Sequence, residues 1–421
     1  MNTEELLTFI KESTSPYHTV TASEKMLKAA GFSELSWGDE WKLKAGKAYF
    51  VRVFGSALMA FRVGKEQGML RIAAAHTDFP GFRVKPSPEM KEGGCIMLNV
   101  EPYGGLIQSS WLDRPLSLAG SVALRGEDAF HPVTCYVDFG RPIMTIPRLA
   151  IHMNRKVNEG ETLNRQTELL PLSALDGEEV SEEFFLEQLA KELDCEKEDI
   201  LSYDMNVYSC EEPCMLGFDN EFISAPRLDN LTSVKACVDA LIDAKTESGT
   251  AIAALFDNEE VGSRTKQGAN SAVLEKLIEK IYRSLGREKN MSRDIAEGFL
   301  LSVDVAHGLH PNYTGKADPT NRPKLGEGFA VKQAASQSYV GDAEAQAVVK
   351  ALADEAFAPY QTYVNRSDIP GGSTLGSMVS ANLCMRGQDI GVPVLAMHSA
   401  RELMAAADQE ALTDVITKFF A

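Results

Sequence analysis

A chain of 421 residues exceeds the usual size of a single domain, so two domains and a substantial buried core are expected. Its formal net charge of −18 disfavours nucleic acid or an anionic membrane as partner, and an acidic ligand would need a basic group inside its pocket to overcome long-range repulsion. Seven cysteines, an odd number without framework spacing, exclude a disulfide scaffold and suit a reducing cytoplasm.

The N-terminus, MNTEELLTFIKES, lacks the basic flank and apolar core of a secretory signal, and no run approaches transmembrane length. A cytoplasmic protein is therefore expected. Apolar residues at helical spacing predict helices over 3–13 and 19–30, the second closed by Gly31. Residues 48–63 alternate in polarity and break at Gly55-Ser56, the pattern of a hairpin. Residues 69–75, MLRIAAA, read as a buried strand that runs into His76-Thr77-Asp78. His76 and Asp78 share one side of an extended chain, so Asp78 could hydrogen-bond the second ring nitrogen of a metal-bound His76. A plain polar strand end is the alternative.

Residues 80–225 are richer in Pro and Gly, and short alternating runs at 95–100, 116–125 and 134–139 predict a β-rich inserted domain with one helical pattern at 181–193. Within it, His152 stands among apolar neighbours at 146–155, which by spacing alone reads as a buried, hydrogen-bonded histidine. Asp229 precedes an amphipathic helix predicted over 231–244, where an Asp commonly serves as a cap.

The next strand, TAIAALF at 250–256, ends in Asp257-Asn258-Glu259-Glu260. Adjacent glutamates point in different directions, so one can bind a metal while the other handles protons on a bound water. A solvated acidic loop would look the same. In FLLSVDV, 299–305, Asp304 interrupts an apolar run and requires a partner. The polar, Gly- and Pro-containing stretch 312–328 reads as a loop lining a site. The turn IPGGSTLG at 369–376 lacks the Lys-Ser/Thr ending of a P-loop and reads as a place where substrate approaches backbone amides. VPVLAM, 392–397, is the last predicted buried strand and leads to His398.

Four apolar strands thus finish in His76, Glu259-Glu260, Asp304 and His398, with Asp229 at a turn before a helix. Strands separated by helices imply a mostly parallel sheet in an α/β/α domain, whose ligand crevice lies outside the strands' carboxyl ends. Two imidazoles, three carboxylates and a spare glutamate are too many for one tetrahedral zinc and fit two ions that share a carboxylate.

The sequence resembles the aspartyl aminopeptidases, co-catalytic zinc exopeptidases, nearly end to end. The motifs are AHTDFPGFRVKPSP at 75–88, YGG with SWLDRPLSLAG at 103–120, RLAIHMNR at 148–155, then RLDN, FDNEEVGS, SVDVAHGLHPN and LAMHSARE. The resemblance implies an α/β catalytic domain at 1–82 and 226–421, split by a β-rich dimerisation domain at 83–225 in an assembly built on dimers, usually a dodecamer. It implies two zinc ions per subunit, one held by His76, Asp229 and Asp304, the other by Asp229, Glu260 and His398, with cobalt or manganese able to occupy the same ligands. Glu259 would be the general base, Asp78 the carboxylate behind His76, and His152 a donor entering a neighbouring subunit's active site. The implied substrate is a peptide with an N-terminal Asp or Glu, with Lys332 supplying the cation and His307, Gly371, Gly372 and Ser373 completing the substrate site. Taken alone, Lys332 reads as a surface lysine. The chain departs from the family pattern after Lys332, where it reads QAASQSYVGDAEA without an Arg-Tyr pair, and at Gly371. Both departures touch the specificity pocket and leave the metal ligands intact. Two rivals follow: a dimetal enzyme acting on N-acyl amino acids, and a non-enzymatic scaffold, which would be expected to have lost a ligand or the base.

Overall fold

Apolar runs alternate with amphipathic helices through both ends of the chain. In the computed structural model, which describes residues 3–177 and 181–421, these runs assemble into a nine-stranded sheet. Its order is Ser33–Leu35, Ala48–Val53, Ala57–Val63, Ser248–Phe256, Glu66–His76, Phe299–Val303, Gly387–Gly391, Phe329–Gln333 and Tyr360–Val364. The four central strands, from Ser248–Phe256 to Gly387–Gly391, run parallel, and each flank joins them through an antiparallel neighbour. The hairpin expected over 48–63 forms and closes through Phe54 and Gly55, both at positive φ.

Both faces of this sheet are covered, which is why its central strands read as nearly continuous apolar runs. Leu70, Ile72 and Ala74 pack on one face with residues of the helices Val273–Ser284 and Gly376–Leu383. The helix Leu228–Asp243 packs across the central strands and against the terminal helix Ala406–Phe420. Alternation assigns Ala73 and Ala75 to the second face, where small side chains permit close helix approach.

The strand Gly387–Gly391 corrects the sequence reading. The last sheet strand was expected at 392–397, but the sheet uses GQDIG, whose polar Gln388 and Asp389 hide it from a hydrophobicity pattern. Both side chains are buried and partnered: Gln388 Nε2 donates to the Lys332 carbonyl at 2.6 Å, and Asp389 Oδ1 accepts from Ser302 Oγ at 2.6 Å. Gly391 is required by close approach, since a Cβ there would lie 1.7 Å from the Asp304 carbonyl oxygen. Pro393–Leu395 instead belongs to a five-stranded sheet with Cys214–Leu216, Phe222–Ala225, Glu402–Ala405 and Ala306–His307.

These two sheets lie in one unit, Met1–Asp78, Pro213–Met397 and Glu402–Ala421; a second comprises Phe79–Glu212 and His398–Arg401. The second is built on a six-stranded antiparallel sheet ordered Val133–Asp138, Leu116–Leu124, Ile200–Ser209, Gly81–Glu92, Cys95–Tyr103 and Leu172–Leu175. Its helix Phe184–Leu193 buries Phe185, Leu189 and Ala190 in that unit's core. Among the described residues no helix is long and apolar enough to cross a membrane, and all seven cysteines are free.

Candidate functional site

His76 ends its strand with 1 % of its surface exposed. Its Nδ1 lies 3.0 Å from the Asp78 main-chain carbonyl and 3.4 Å from Asp78 Oδ1. A carbonyl only accepts, so Nδ1 carries the proton and a neutral ring has its lone pair on Nε2. Nε2 faces Asp229 Oδ1 at 3.5 Å and Asp304 Oδ1 at 3.7 Å. Burial opposes a charge on His76, yet Asp229, Asp304 and Asp78 together outweigh it and hold the imidazole well above its ordinary pKa.

Glu259 and Glu260 follow their strand in a single 3-10 turn, Glu259–Val261, entered through Asn258 at positive φ. The Glu259 amide donates to Asp78 Oδ1 and the Glu260 amide to Asp78 Oδ2, each at 3.1 Å. Asp78 therefore orients the glutamates as well as His76, a role carried by residues 181 and 182 positions apart and invisible to local pattern. Burial pushes Glu259 up to about 8; the His76 charge opposes this, and Asp304, Asp78 and Asp229 add to it. Asp257 has a different job, accepting from Ser56 Oγ at 2.6 Å.

Asp229 is not a conventional cap. Its helix, Leu228–Asp243, is irregular at Asp229 and Asn230, which are joined by a cis peptide, and no side chain caps its start. The Asp229 amide donates to Glu402 Oε2 at 3.0 Å, and Asn230 Nδ2 to the Val303 carbonyl at 3.0 Å, anchoring this turn beside the end of the Asp304 strand. One ligand atom from each of His76, Asp229 and Glu260 lies within 4.8 Å of the others. Once the ring is neutral, its Nε2 lone pair and these carboxylate oxygens offer a cation one shared set of donors, and this donor set suits zinc, cobalt or manganese.

His398 has positive φ, and its Nδ1 is 3.0 Å from the Gly105 carbonyl, so the same reasoning puts the lone pair of the neutral ring on Nε2. Lys332 departs from the surface reading. It is 2 % exposed, and Nζ donates to the carbonyls of Asp304 at 3.2 Å and Val305 at 3.0 Å. The ammonium also lies 3.8 Å from Asp304 Oδ2 and 4.7 Å from the Tyr339 ring centroid. His152 is likewise not buried as its spacing suggested: it sits exposed in a turn beside Leu149, Ile151 and Met153, which are 53 %, 54 % and 75 % exposed. Its apolar neighbours belong to a surface loop rather than a strand.

His307 and Gly371 meet on the wall of a cavity of about 300 Å³. A Cβ at Gly371 would come within 2.0 Å of Asn365 Nδ2, so any larger residue there would require the Asn365 side chain to move. Gly372 has open space around it and Ser373 is exposed; neither lines the cavity.

Residues 9–420 match the model of a family described as Aminopeptidase I zinc metalloprotease (M18). A probable M18 family aminopeptidase 2 of Clostridium novyi is 45 % identical over 99 % of this chain and 98 % of its own. In a solved structure of the Ape4 and Nbr1 complex, the matching chain is 34 % identical with a TM-score of 0.95, over 99 % of this chain and 85 % of that one. The fold is shared with a S. cerevisiae mApe1 dodecamer at 24 % identity and a TM-score of 0.84, over 99 % of this chain and 95 % of that one.

Proposed function

Since the chain belongs to the M18 family of zinc metallo-aminopeptidases, we propose that it removes N-terminal Asp or Glu from peptides, with two zinc ions and Glu259 as general base. The observation that carries this reading is the convergence of His76, Asp229 and Glu260 beside Glu259. One ion would be held by His76, Asp229 and Asp304, the other by Asp229, Glu260 and His398. Bound zinc supplies Lewis acidity, polarising the scissile carbonyl and acidifying water. Glu259 takes a proton from the attacking water and passes it to the leaving amine. Asp78 holds the His76 ring and the backbone of both glutamates, so the base and a ligand keep one spacing.

Lys332 supports the acidic preference as a buried cation beside Asp304, although two of its three N–H donors already serve carbonyls. Hydrolysis of Asp-, Glu-, Leu- and Ala-nitroanilides by zinc-loaded protein tests the reading. Release from Asp and Glu at least about tenfold faster than from Leu is expected, as a buried charge partner discriminates by that order. Preference for Leu or Ala would sink the acidic pocket but keep the peptidase. Release from none, with turnover of N-acyl amino acids, would favour the deacylase.

The exposed Leu149, Ile151 and Met153 support burial of the His152 loop by a neighbouring subunit, in an assembly of dimers up to a dodecamer. His152 would there donate to the negative charge developing on the carbonyl oxygen. Inactive His152→Ala and Glu259→Gln proteins, unfolded and refolded together, should regain roughly a quarter of wild-type activity, because half the dimers are mixed and each has one complete site. No recovery in co-purified mixed dimers would place His152 within its own subunit's site, and an active His152→Ala protein would place it outside catalysis. The seven free cysteines support a cytoplasmic setting.

A further inference from the structure

His398 is the one proposed zinc ligand that belongs to the second unit; His76, Asp229, Glu260 and Asp304 all lie in the first. It stands at a φ of 65°, left-handed backbone that a β-carbon disfavours, so neighbouring groups must hold it there. The holding is done by one short stretch, residues 105–110. The Gly105 carbonyl, 3.0 Å from Nδ1, accepts from the ring and leaves Nε2 for a metal. That bond sets the tautomer and the tilt of the imidazole.

Three further hydrogen bonds close a ring through the main chain of the same residue. The Ile107 amide donates to the His398 carbonyl at 2.9 Å, the Ser110 hydroxyl donates to the Ile107 carbonyl at 2.6 Å, and the Ala400 amide donates to Ser110 Oγ at 2.9 Å. Ser110 both gives and accepts a bond, so no apolar side chain can take its place. Ala400 is buried in the core of its unit with Leu106, Trp111 and Leu112, which fixes one side of the ring. The other side is held by two arginines. Arg114 Nε donates to the Ser110 carbonyl, and Arg148 Nη2 donates to the Ser109 carbonyl at 3.2 Å. Zinc–nitrogen bonds are about 2.0–2.1 Å long and tolerate roughly 0.2 Å of displacement, so a ligand mounted on left-handed backbone depends on such a clamp.

We propose that Ser110 is a positioning residue for the second zinc ion, acting through the main chain of His398, and that the affinity of that ion alone depends on its hydroxyl. The inference rests on the two-zinc reading with His398 as a ligand.

The test is competitive titration of metal-free protein with zinc against a chromophoric chelator, which reads the two ions separately. Ser110→Ala should weaken one ion about ten- to a hundredfold, the range for losing an outer partner of a ligand, and leave the other as in the wild type. Ser110→Thr keeps the hydroxyl and should keep both affinities. His398→Ala should lose one ion, and adding Ser110→Ala to it should change nothing at the ion that remains, because the serine acts through the histidine. Hydrolysis of Asp-nitroanilide by Ser110→Ala, depressed at limiting zinc, should return at saturating zinc, which a loss of folded protein would not allow. Unchanged affinity for both ions overturns the proposal, as does equal weakening of both with a lower melting temperature of the metal-free protein. Weakening by Ser110→Thr as large as by Ser110→Ala would assign the effect to packing and overturn it too. Two tightly bound ions in His398→Ala would refute the ligand reading itself, and the proposal with it.

Discussion

Glu259→Gln is expected to lower kcat by about 10³- to 10⁴-fold while zinc content and the fold stay as in the wild type, the upper range for loss of a positioned acid–base group. The substitution is nearly isosteric, and the bonds that place residue 259 are made by its backbone. Its amide donates to Asp78 Oδ1 whatever the side chain, and the turn Glu259–Val261 is held from Asn258. Only proton transfer is removed. Zinc analysis alongside steady-state kinetics separates the outcomes: a tenfold loss or less would assign the base elsewhere, and a parallel loss of zinc would make Glu259 a ligand.

Asp229→Asn tests the other half of the site and should remove nearly all activity together with bound metal. Asp229 is the carboxylate proposed to serve both ions, and it shares a 4.8 Å cluster with His76 and Glu260. Replacing it with a neutral amide weakens both sites at once, so bound zinc at limiting free metal should fall toward zero and kcat/KM by more than about 10³-fold. Stability should fall with it. In metal-free protein Asp229 is first among the carboxylates that hold the buried His76 ring charged, and neutralising it removes that attraction at low dielectric. Metal-free Asp229→Asn should therefore melt below metal-free wild type, and zinc-loaded wild type should melt above both. A variant more stable than wild type in the metal-free state would show that repulsion among the carboxylates outweighs the pairing with His76.

The acidic residues explain themselves differently once their surroundings are known. Asp257, Glu259 and Glu260 look equivalent in the sequence, yet Asp257 accepts from Ser56 while the other two ride on Asp78. Asp389 lies in a polar GQDIG segment that has no central-strand pattern, although Ser302 and Val340 supply its hydrogen bonds and burial lifts it to about 6.

By itself the sequence determined the alternation of helices and strands, the parallel centre of the sheet, the short alternating runs of a β-rich insert and the candidate ligands at strand ends. Each of these follows from local periodicity, from turn residues or from polar groups that end an apolar run. Tertiary structure alone decided what each polar group meets. His152 and Lys332 changed places, the first exposed in a turn and the second buried against the Asp304 carbonyl, because burial depends on segments distant in sequence and not on neighbours along the chain. The Asp78 carboxylate bridging two amides, the Gly391 close approach to Asp304, and the ring of hydrogen bonds that joins His398 to Ile107 and Ser110 arose in the same way. Long-range packing brings together side chains whose spacing along the chain carries no period.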